Sequence, residues 1–167
     1  MLLSEYLNSL DNDEFAAAMG KCCASASWVH AMAASRPFEG DDDVLKAAAD
    51  AWWSLGSADW LEAFAAHPQI GDMDTLRAKF ANIKAWAANE QSGVDGAQEE
   101  TLVQLAAGNE VYWKQFGYIF IVFATGKTAA EMLEILQERL ENDPEDELQI
   151  AAEEQLKITR LRLEKLH

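Results

Sequence analysis

The chain has 167 residues, of which 50% are hydrophobic and 25% are charged, and its formal net charge at pH 7 is −16. This length predicts one domain over 1–167, and the composition supports a hydrophobic core and excludes a disordered or collagen-like chain. The negative charge repels phosphate backbones and anionic lipids, so we expect neither nucleic acid nor a membrane as a partner.

The cysteines and the chain ends predict a cytoplasmic protein. Cys22 and Cys23 are adjacent and are the only cysteines, which suits buried thiols in a reducing compartment better than a structural disulfide. No apolar run reaches the roughly 18 residues of a membrane-spanning helix. The N-terminus lacks the basic start of a signal peptide, and the final "EKLH" differs from the peroxisomal tripeptide Ser-Lys-Leu.

The first part of the chain reads as a series of helices, because Ala, Leu, Glu and Gln dominate and prolines are few. After a short N-terminal helix, the pattern predicts helices over 11–23 and 28–34. The next helix begins with an acidic first turn at 41–43, and we expect Gly56 at its C-cap and Ser57 at the following N-cap.

The helix after Ser57 is expected to end at His67, because Pro68 disfavours the α conformation for the residue before it. A further helix is expected over about 74–86. Farther on, Gly108 is predicted to break a helix, with Asn109 capping the next one.

The most apolar segment is "YIFIVFA" at 118–124. Its period alone allows a buried strand, but the helical surroundings favour a buried helix end, with an irregularity at Gly117. Thr128 and Glu131 form a capping box for the next helix, and Pro144 opens the last one. The sequence therefore predicts an all-α, single-domain bundle of about eight helices.

His67 is the first candidate for chemistry, since histidine carries protons near neutral pH and a helix end fixes its position. The alternative is a structural histidine that interacts with the last carbonyls of its own helix. His30 lies beside Trp28 and Met32 in an apolar helix and is expected to be partly buried, and His167 is terminal.

Glu90 and Gln91 precede a glycine-rich turn. Trp86 lies four residues before Glu90, a spacing that would place both on one face if the helix continued. An indole beside the carboxylate would desolvate it and raise its pKa into the range of an acid or base. A solvated glutamate at a helix end is the alternative.

The last helix carries Lys157, Arg160 and Arg162 in an otherwise acidic chain. Cations are favoured at a helix C-terminus by the macrodipole alone, although a guanidinium is also the usual fork for a carboxylate. Arg162 lies off the face shared by the other two, among leucines, so it either snorkels to solvent or reaches into a pocket.

The sequence carries no histidine or cysteine spacing typical of a metal site, so no metal is expected. "GKT" at 126–128 lacks the upstream glycine of a phosphate-binding loop, and no G-x-S-x-G motif is present.

Segments along nearly the whole chain resemble the decarboxylases of 2-oxo-4-hydroxy-4-carboxy-5-ureidoimidazoline (OHCU), which act in urate degradation. Each segment is a weak signal by itself, and their order makes the resemblance specific. The segments are "RPF" (36–38), "HPQIGD" (67–72), "NEQSG" (89–93), "FGYIFIVFATGK" (116–127) and "KITRLRLEKL" (157–166).

The resemblance implies an all-α homodimer that needs no cofactor and converts OHCU to (S)-allantoin and carbon dioxide. It assigns the catalytic roles to His67, Glu90 and Arg162. Relatives commonly have a serine where this chain has Ala87, which puts one substrate hydrogen bond in doubt. The implied substrate contacts are Pro68, Ala87, Gln91 and the segment of Phe120, Ile121, Val122 and Phe123.

Two other classes of function stay open from the residues. The first is a cofactor-free amidohydrolase of ureido compounds that uses His67 and Glu90 as acid and base. The second is a non-catalytic helical module that binds a partner helix through tryptophans such as Trp52 and Trp53. Because these two are adjacent, at least one is expected at an edge or interface.

Overall fold

The structure is a computed structural model that describes residues 1–67 and 94–167, with side chains described from residue 99 onward in the second range. Within these residues the chain forms eight α-helices and no strand, which confirms the all-α prediction. None of the described helices is long and apolar enough to cross a membrane. The helices are α1 (Leu3–Ser9), α2 (Asn12–Cys22), α3 (Ala26–Ala34), α4 (Asp41–Trp53), α5 (Ser57–Ala65), α6 (Val94–Phe116), α7 (Ala129–Arg139) and α8 (Pro144–Glu164).

Side-chain caps explain where several helices begin. Asp11 accepts a hydrogen bond from the backbone N–H of Glu14, and the Glu14 side chain accepts one from the backbone N–H of Asp11. The predicted capping box of Thr128 and Glu131 forms in the same way at the N-terminus of α7. Pro144 is the first residue of α8, as predicted. Each box satisfies two backbone donors that a bare helix end leaves unpaired.

The predicted caps between α4 and α5 are wrong. Ser54, in the right-handed conformation, is the C-cap of α4, and Gly56 is the N-cap of α5 with φ −102°. Ser57 is consequently the first residue of α5. Gly56 is extended and does not adopt the left-handed conformation that makes glycine favourable at a C-cap, so its identity indicated the wrong helix end.

Residues 1–67 and 150–167 form one compact unit. Trp52 is 1% exposed and donates its indole N–H to the carbonyl of Ala152 at 2.9 Å, whereas Trp53 is 39% exposed. The adjacent tryptophans therefore divide between core and surface, as the spacing predicted. The largest fully buried side chains of this unit are Trp28, Trp52, Phe15, Phe64, Leu7, Met19, Met32 and Leu163.

Residues 68–149 form the second compact unit, in which α6 and α7 pack together. The predicted break at Gly108 is wrong, because α6 runs unbroken from Val94 to Phe116. A Cβ at Gly108 would lie 2.6 Å from Cδ2 of the fully buried Leu136 in α7. Asn109 caps nothing and donates its side-chain amide to the carbonyl of Leu105 at 2.8 Å. Gly108 thus permits a close approach of two helices.

The apolar segment 118–124 is neither a helix end nor a strand, contrary to the expectation, although the irregularity predicted at Gly117 is present with φ 84°. Arg139 donates a hydrogen bond to the carbonyl of Ile121, and a second donor of its guanidinium lies 2.9 Å from Glu147. Tyr112 also donates to Glu147. Burial raises the pKa of Tyr112, and the bond to Glu147 adds to that effect. This buried network pairs the carbonyl of Ile121, which a strand would pair with a neighbouring backbone.

Candidate active site

His67 lies directly after α5, where the sequence predicts the end of the helix. Ala66 is the C-cap, and the backbone N–H of His67 donates to the carbonyl of Phe64 at 3.1 Å. The half-buried imidazole extends to α8, where its Nε2 lies 2.5 Å from Oε1 of Gln155. The histidine therefore bonds to a distant helix, which goes beyond the alternative of a contact with the carbonyls of α5.

Gln155 and Thr159 form a buried polar chain behind His67. Each is 1% exposed, and the amide Nε2 of Gln155 donates to the hydroxyl oxygen of Thr159 at 3.1 Å. The two residues are four positions apart on α8, which places them on the same helical face. The imidazole of His67 is therefore hydrogen-bonded to a buried side chain, which is itself hydrogen-bonded to Thr159.

Arg162 lies two turns after Gln155 on α8, so the two side chains share one face of the helix. Its Nη1 donates to the carbonyl of Cys22 at 3.3 Å. Lys157, in contrast, pairs with Glu154 at 2.5 Å, and Arg160 is exposed. Arg162 lines a cavity together with His67 and Gln155.

The cavity has a volume of about 390 Å³, which is the size of a small-molecule site. Its charged lining residues are Lys21 and Arg162, and no carboxylate lines it among the described residues. The site is therefore locally cationic in a chain of formal net charge −16. The lining comprises Gly20, Lys21, Ala24, Ala63, Ala66, His67, Gln155 and Arg162.

The two cysteines beside this cavity are buried and free, as predicted. Burial raises the pKa of Cys22 to about 11, against a weaker lowering effect of Arg162. Burial also raises the pKa of Cys23, while hydrogen bonds from Ser25 and Thr159 lower it. Both thiols are therefore protonated at neutral pH and fill space, which does not suit a nucleophile.

The other ionisable candidates among the described residues do not form a second candidate active site or a metal site. His30 is exposed, so the expectation that it is partly buried is wrong; it lies on the solvent side of α3 while Trp28 points into the core. In the ranges that the structure describes, no group of three or more His, Cys, Asp or Glu side chains could hold a metal ion.

The structure brings His67 and Arg162 to one cavity, but not every predicted site residue can be placed. Pro68, Ala87, Glu90 and Gln91 lie outside the described residues, as does the helix expected over about 74–86. The segment of Phe120, Ile121, Val122 and Phe123 lies in the second compact unit, where the first three side chains are buried and the fourth is half-buried.

Two lining residues with polar side chains, Lys21 and Gln155, are absent from the predicted site. Gln155 precedes Arg162 by seven residues, so the helical period could have placed both on one face. No pattern in the sequence predicted Lys21 at this site, because tertiary packing brings its helix, α2, to the cavity.

Three comparisons with known proteins bear on this site. The family model described as OHCU decarboxylase matches residues 8–164. The chain is 40% identical over 146 residues to the uric acid degradation bifunctional protein TTL of Arabidopsis thaliana, covering 87% of this chain and 45% of that protein. The chain thus spans less than half the length of this curated relative.

Other relatives are matched almost end to end. The chain is 27% identical to the 2-oxo-4-hydroxy-4-carboxy-5-ureidoimidazoline decarboxylase of Haloferax volcanii, with 97% of this chain and 94% of that protein covered. A crystal structure of an OHCU decarboxylase in the presence of (S)-allantoin superposes with a TM-score of 0.70 and 39% identity. That superposition covers 94% of this chain and 98% of the other.

Proposed function

Since the chain belongs to the OHCU decarboxylase family, we propose that it converts OHCU to (S)-allantoin and carbon dioxide in urate degradation. The observation that carries this proposal is one cavity lined by both His67 and Arg162, two residues from distant parts of the sequence. Its cationic lining suits a substrate that bears a carboxylate. The similarity to a decarboxylase crystallised with (S)-allantoin supports the same reaction.

The substrate itself explains why we propose a reaction without a cofactor. Its carboxylate is attached to a ring carbon that also bears a hydroxyl, next to a ring C=N bond. When the carbon–carbon bond to the carboxylate breaks, the electron pair moves into that C=N bond. A proton then reaches the carbon that bears the ureido group, and the hydroxyl becomes the product's carbonyl. The electron sink is part of the substrate.

The protein's proposed tasks are to orient the scissile bond, to stabilise the moving charge and to control protons. We assign to His67 the hydrogen bond to the hydroxyl or carboxylate and the transfer of its proton. Arg162 anchors an anionic or carbonyl oxygen through its guanidinium. Glu90 holds or protonates the ureido-imidazoline nitrogens, and Gln91 fixes the ring.

The remaining predicted contacts complete this proposal. Pro68 sets the backbone after His67, and the backbone of 120–123 supplies hydrogen-bonding groups to the substrate. Ala87 provides no side-chain hydrogen bond, so water or Asn89 takes the place of the serine.

The direct test supplies freshly generated OHCU to the purified protein and measures carbon dioxide, ammonia and the optical rotation of the product. We expect carbon dioxide release well above the spontaneous rate, together with formation of (S)-allantoin. Ammonia release without carbon dioxide would instead support the amidohydrolase. Racemic product at the spontaneous rate would reject the decarboxylase.

We also propose that residues 1–167 form one catalytic domain, that two copies assemble as a homodimer, and that the enzyme is cytoplasmic. The exposed Trp53 supports an interface, and the two free cysteines suit a reducing compartment. Sedimentation equilibrium tests the dimer, with an expected mass of twice 18.5 kDa. A mass equal to one chain at micromolar concentration would reject it.

A further inference from the structure

Two cations from different helices meet at the C-terminal end of α2. Lys21 lies in the last turn of α2, and Arg162 of α8 donates through Nη1 to the carbonyl of the next residue, Cys22, at 3.3 Å. Both cationic side chains are exposed and both line the cavity, so a ligand in the cavity can reach each of them. The ammonium and the guanidinium therefore share one small space.

The negative end of a helix does not by itself account for two cations. A helix C-terminus carries roughly half of a negative elementary charge, which favours one cation there without any ligand. Lys21 and Arg162 together exceed that charge by about 1.5 elementary charges. Within residues 1–67 and 94–167, neither side chain forms an ion pair with a carboxylate, and no carboxylate lines the cavity. The excess positive charge suits an anionic group on a ligand.

Lys21 differs in this respect from other lysines on the described helices. Lys46, Lys114 and Lys157 each pair with an acidic residue three or four positions away on the same helix, which is the spacing at which helical side chains meet. The residues three and four positions before Lys21 are alanines. Its own helix therefore offers no preceding acidic partner at this spacing, and the ammonium is available to a ligand.

We propose that Lys21 and Arg162 form a two-cation subsite for the carboxylate of the substrate, and that Lys21 is a binding residue that favours substrate over product. The class of ligand is a small cyclic ureide that bears a carboxylate. The choice of this ligand rests on the proposed decarboxylase function, whereas the arrangement of charges does not.

The fate of the carboxylate explains why Lys21 acts on binding and not on the rate of the chemical step. When the carbon–carbon bond breaks, its electron pair moves into the ring C=N bond and the carboxylate leaves as neutral carbon dioxide. A cation beside the carboxylate therefore attracts the ground state at least as strongly as the transition state, so it lowers KM without raising kcat. Allantoin has no carboxylate, so the product loses this contact.

The first test measures binding without turnover. Hydantoin and hydantoin-5-acetate share a cyclic ureide ring, and only the second bears a carboxylate, so isothermal titration calorimetry with both compounds measures the contribution of that group. We expect the native protein to bind hydantoin-5-acetate at least about tenfold more tightly than hydantoin, as charge-assisted hydrogen bonds predict. No detectable binding of hydantoin-5-acetate, or equal affinity for the two compounds, would overturn the subsite.

The variant Lys21→Met removes the ammonium and keeps a long side chain of high helix propensity. We expect its affinity for hydantoin-5-acetate to fall about 3–10-fold, a modest loss because Lys21 is exposed, and its affinity for hydantoin to stay the same. Lys46→Met is the matched control, since it changes the net charge equally at an exposed position that does not line the cavity. Equal affinities of the two variants for hydantoin-5-acetate would remove the role of Lys21.

The second test uses the reaction to separate binding from catalysis. In Lys21→Met we expect KM for OHCU to rise about 3–10-fold with kcat within about twofold, and inhibition by (S)-allantoin to stay the same. Lys21→Arg keeps the positive charge and should bring KM back toward the native value. A lower kcat at an unchanged KM would contradict a contact with the carboxylate of the ground state.

The outcomes distinguish this inference from the proposed function. If hydantoin-5-acetate binds selectively and its binding depends on Lys21, but no carbon dioxide is released from OHCU, the decarboxylase assignment fails and the two-cation subsite stands. If carbon dioxide and (S)-allantoin are formed, but Lys21→Met binds and turns over like the native protein, the role of Lys21 fails and the decarboxylase stands.

Discussion

Arg162 and Lys21 line the cavity with positive charge, although the chain as a whole is negatively charged. Both line the same space, while the formal net charge of the protein is −16. A unit charge about 4 Å away interacts by roughly 4 kcal/mol at an effective dielectric constant of 20. Charges beyond the Debye length of about 8 Å are largely screened at physiological salt. The two cations that line the cavity are therefore screened less than the distant surface charges.

Replacing the guanidinium of Arg162 tests whether this side chain binds a substrate oxygen. Arg162→Lys keeps the charge but loses planar, bidentate geometry, so we expect kcat/KM to fall about 10–100-fold, since a hydrogen bond to a charged group contributes about 1.5–3 kcal/mol. Arg160→Lys makes the same change at an exposed position of α8 and should leave the kinetics unchanged. Equal kinetics for the two variants would remove Arg162 from the site.

Thiol chemistry beside the cavity has a defined pH dependence. Burial raises the pKa of Cys22 from 9.0 to about 11, so at pH 8 its thiolate fraction is about a hundredfold below that of an exposed thiol. Because the fold favours the protonated form, this contribution to stability is complete below pH 9.0 and is lost as pH rises through about 11.

Alkylation by iodoacetamide measures this effect in a Cys23→Ala variant, in which Cys22 is the remaining thiol. We expect modification at pH 8 to be at least about a hundredfold slower in folded than in urea-unfolded protein, and to accelerate toward pH 11. Equal rates in the folded and unfolded states would contradict a buried, protonated Cys22.

At the scale of elements, α6 and α7 depend on a glycine for their close approach. In Gly108→Ala, the new Cβ would meet Cδ2 of Leu136 at 2.6 Å. Overpacking costs about 1–3 kcal/mol, which exceeds the gain in helix propensity of up to about 1 kcal/mol. We therefore expect a lower free energy of unfolding, measured by urea denaturation.

Gly20→Ala is the matched control for this prediction. Gly20 lies inside α2, and nothing lies within 4 Å of a Cβ placed there. Only the higher helix propensity of alanine then acts, and we expect the free energy of unfolding to rise by about 0.5–1 kcal/mol. A stabilising Gly108→Ala of the same size would show that the contact with Leu136 relaxes without cost.

The two glycines that misled the sequence analysis show what local pattern omits. Gly56 and Gly108 were expected to end helices, yet one is an N-cap and the other lies inside a helix. A glycine signals a need for small size or for unusual φ, and sequence alone does not distinguish these needs. By contrast, the capping box at Thr128 and the start at Pro144 depend on neighbours a few residues away and are confirmed.

The sequence predicted those features of the candidate site that depend on neighbouring residues along the chain. Pro68 identified the helix end near His67. The position of Arg162 off the cationic face left two alternatives, exposure to solvent or a pocket, and the structure shows the pocket. The helical period could place Gln155 on the face of Arg162, but its contact with His67, 88 residues away, could not be predicted from any local pattern. The irregular backbone around Ile121 depends likewise on the distant Arg139.

At the scale of the whole molecule, the net charge of −16 should affect how an anionic substrate arrives. Long-range repulsion is screened by salt, whereas the contact with Arg162 inside the cavity is screened much less. We therefore expect kcat/KM for OHCU to rise between about 10 and 150 mM sodium chloride, with kcat unchanged. A steady fall over this range would show that attraction by the cavity outweighs the acidic surface at long distance.

The most direct measurement is the optical rotation of allantoin formed from fresh OHCU by native protein and by His67→Asn, with helix content compared by circular dichroism. We predict fast formation of the S enantiomer by the native protein and at least a ~100-fold slower reaction by the folded variant, the size of effect typical for loss of a general acid or base. Rapid, stereoselective turnover by His67→Asn would contradict the account, because a different residue would then control the proton.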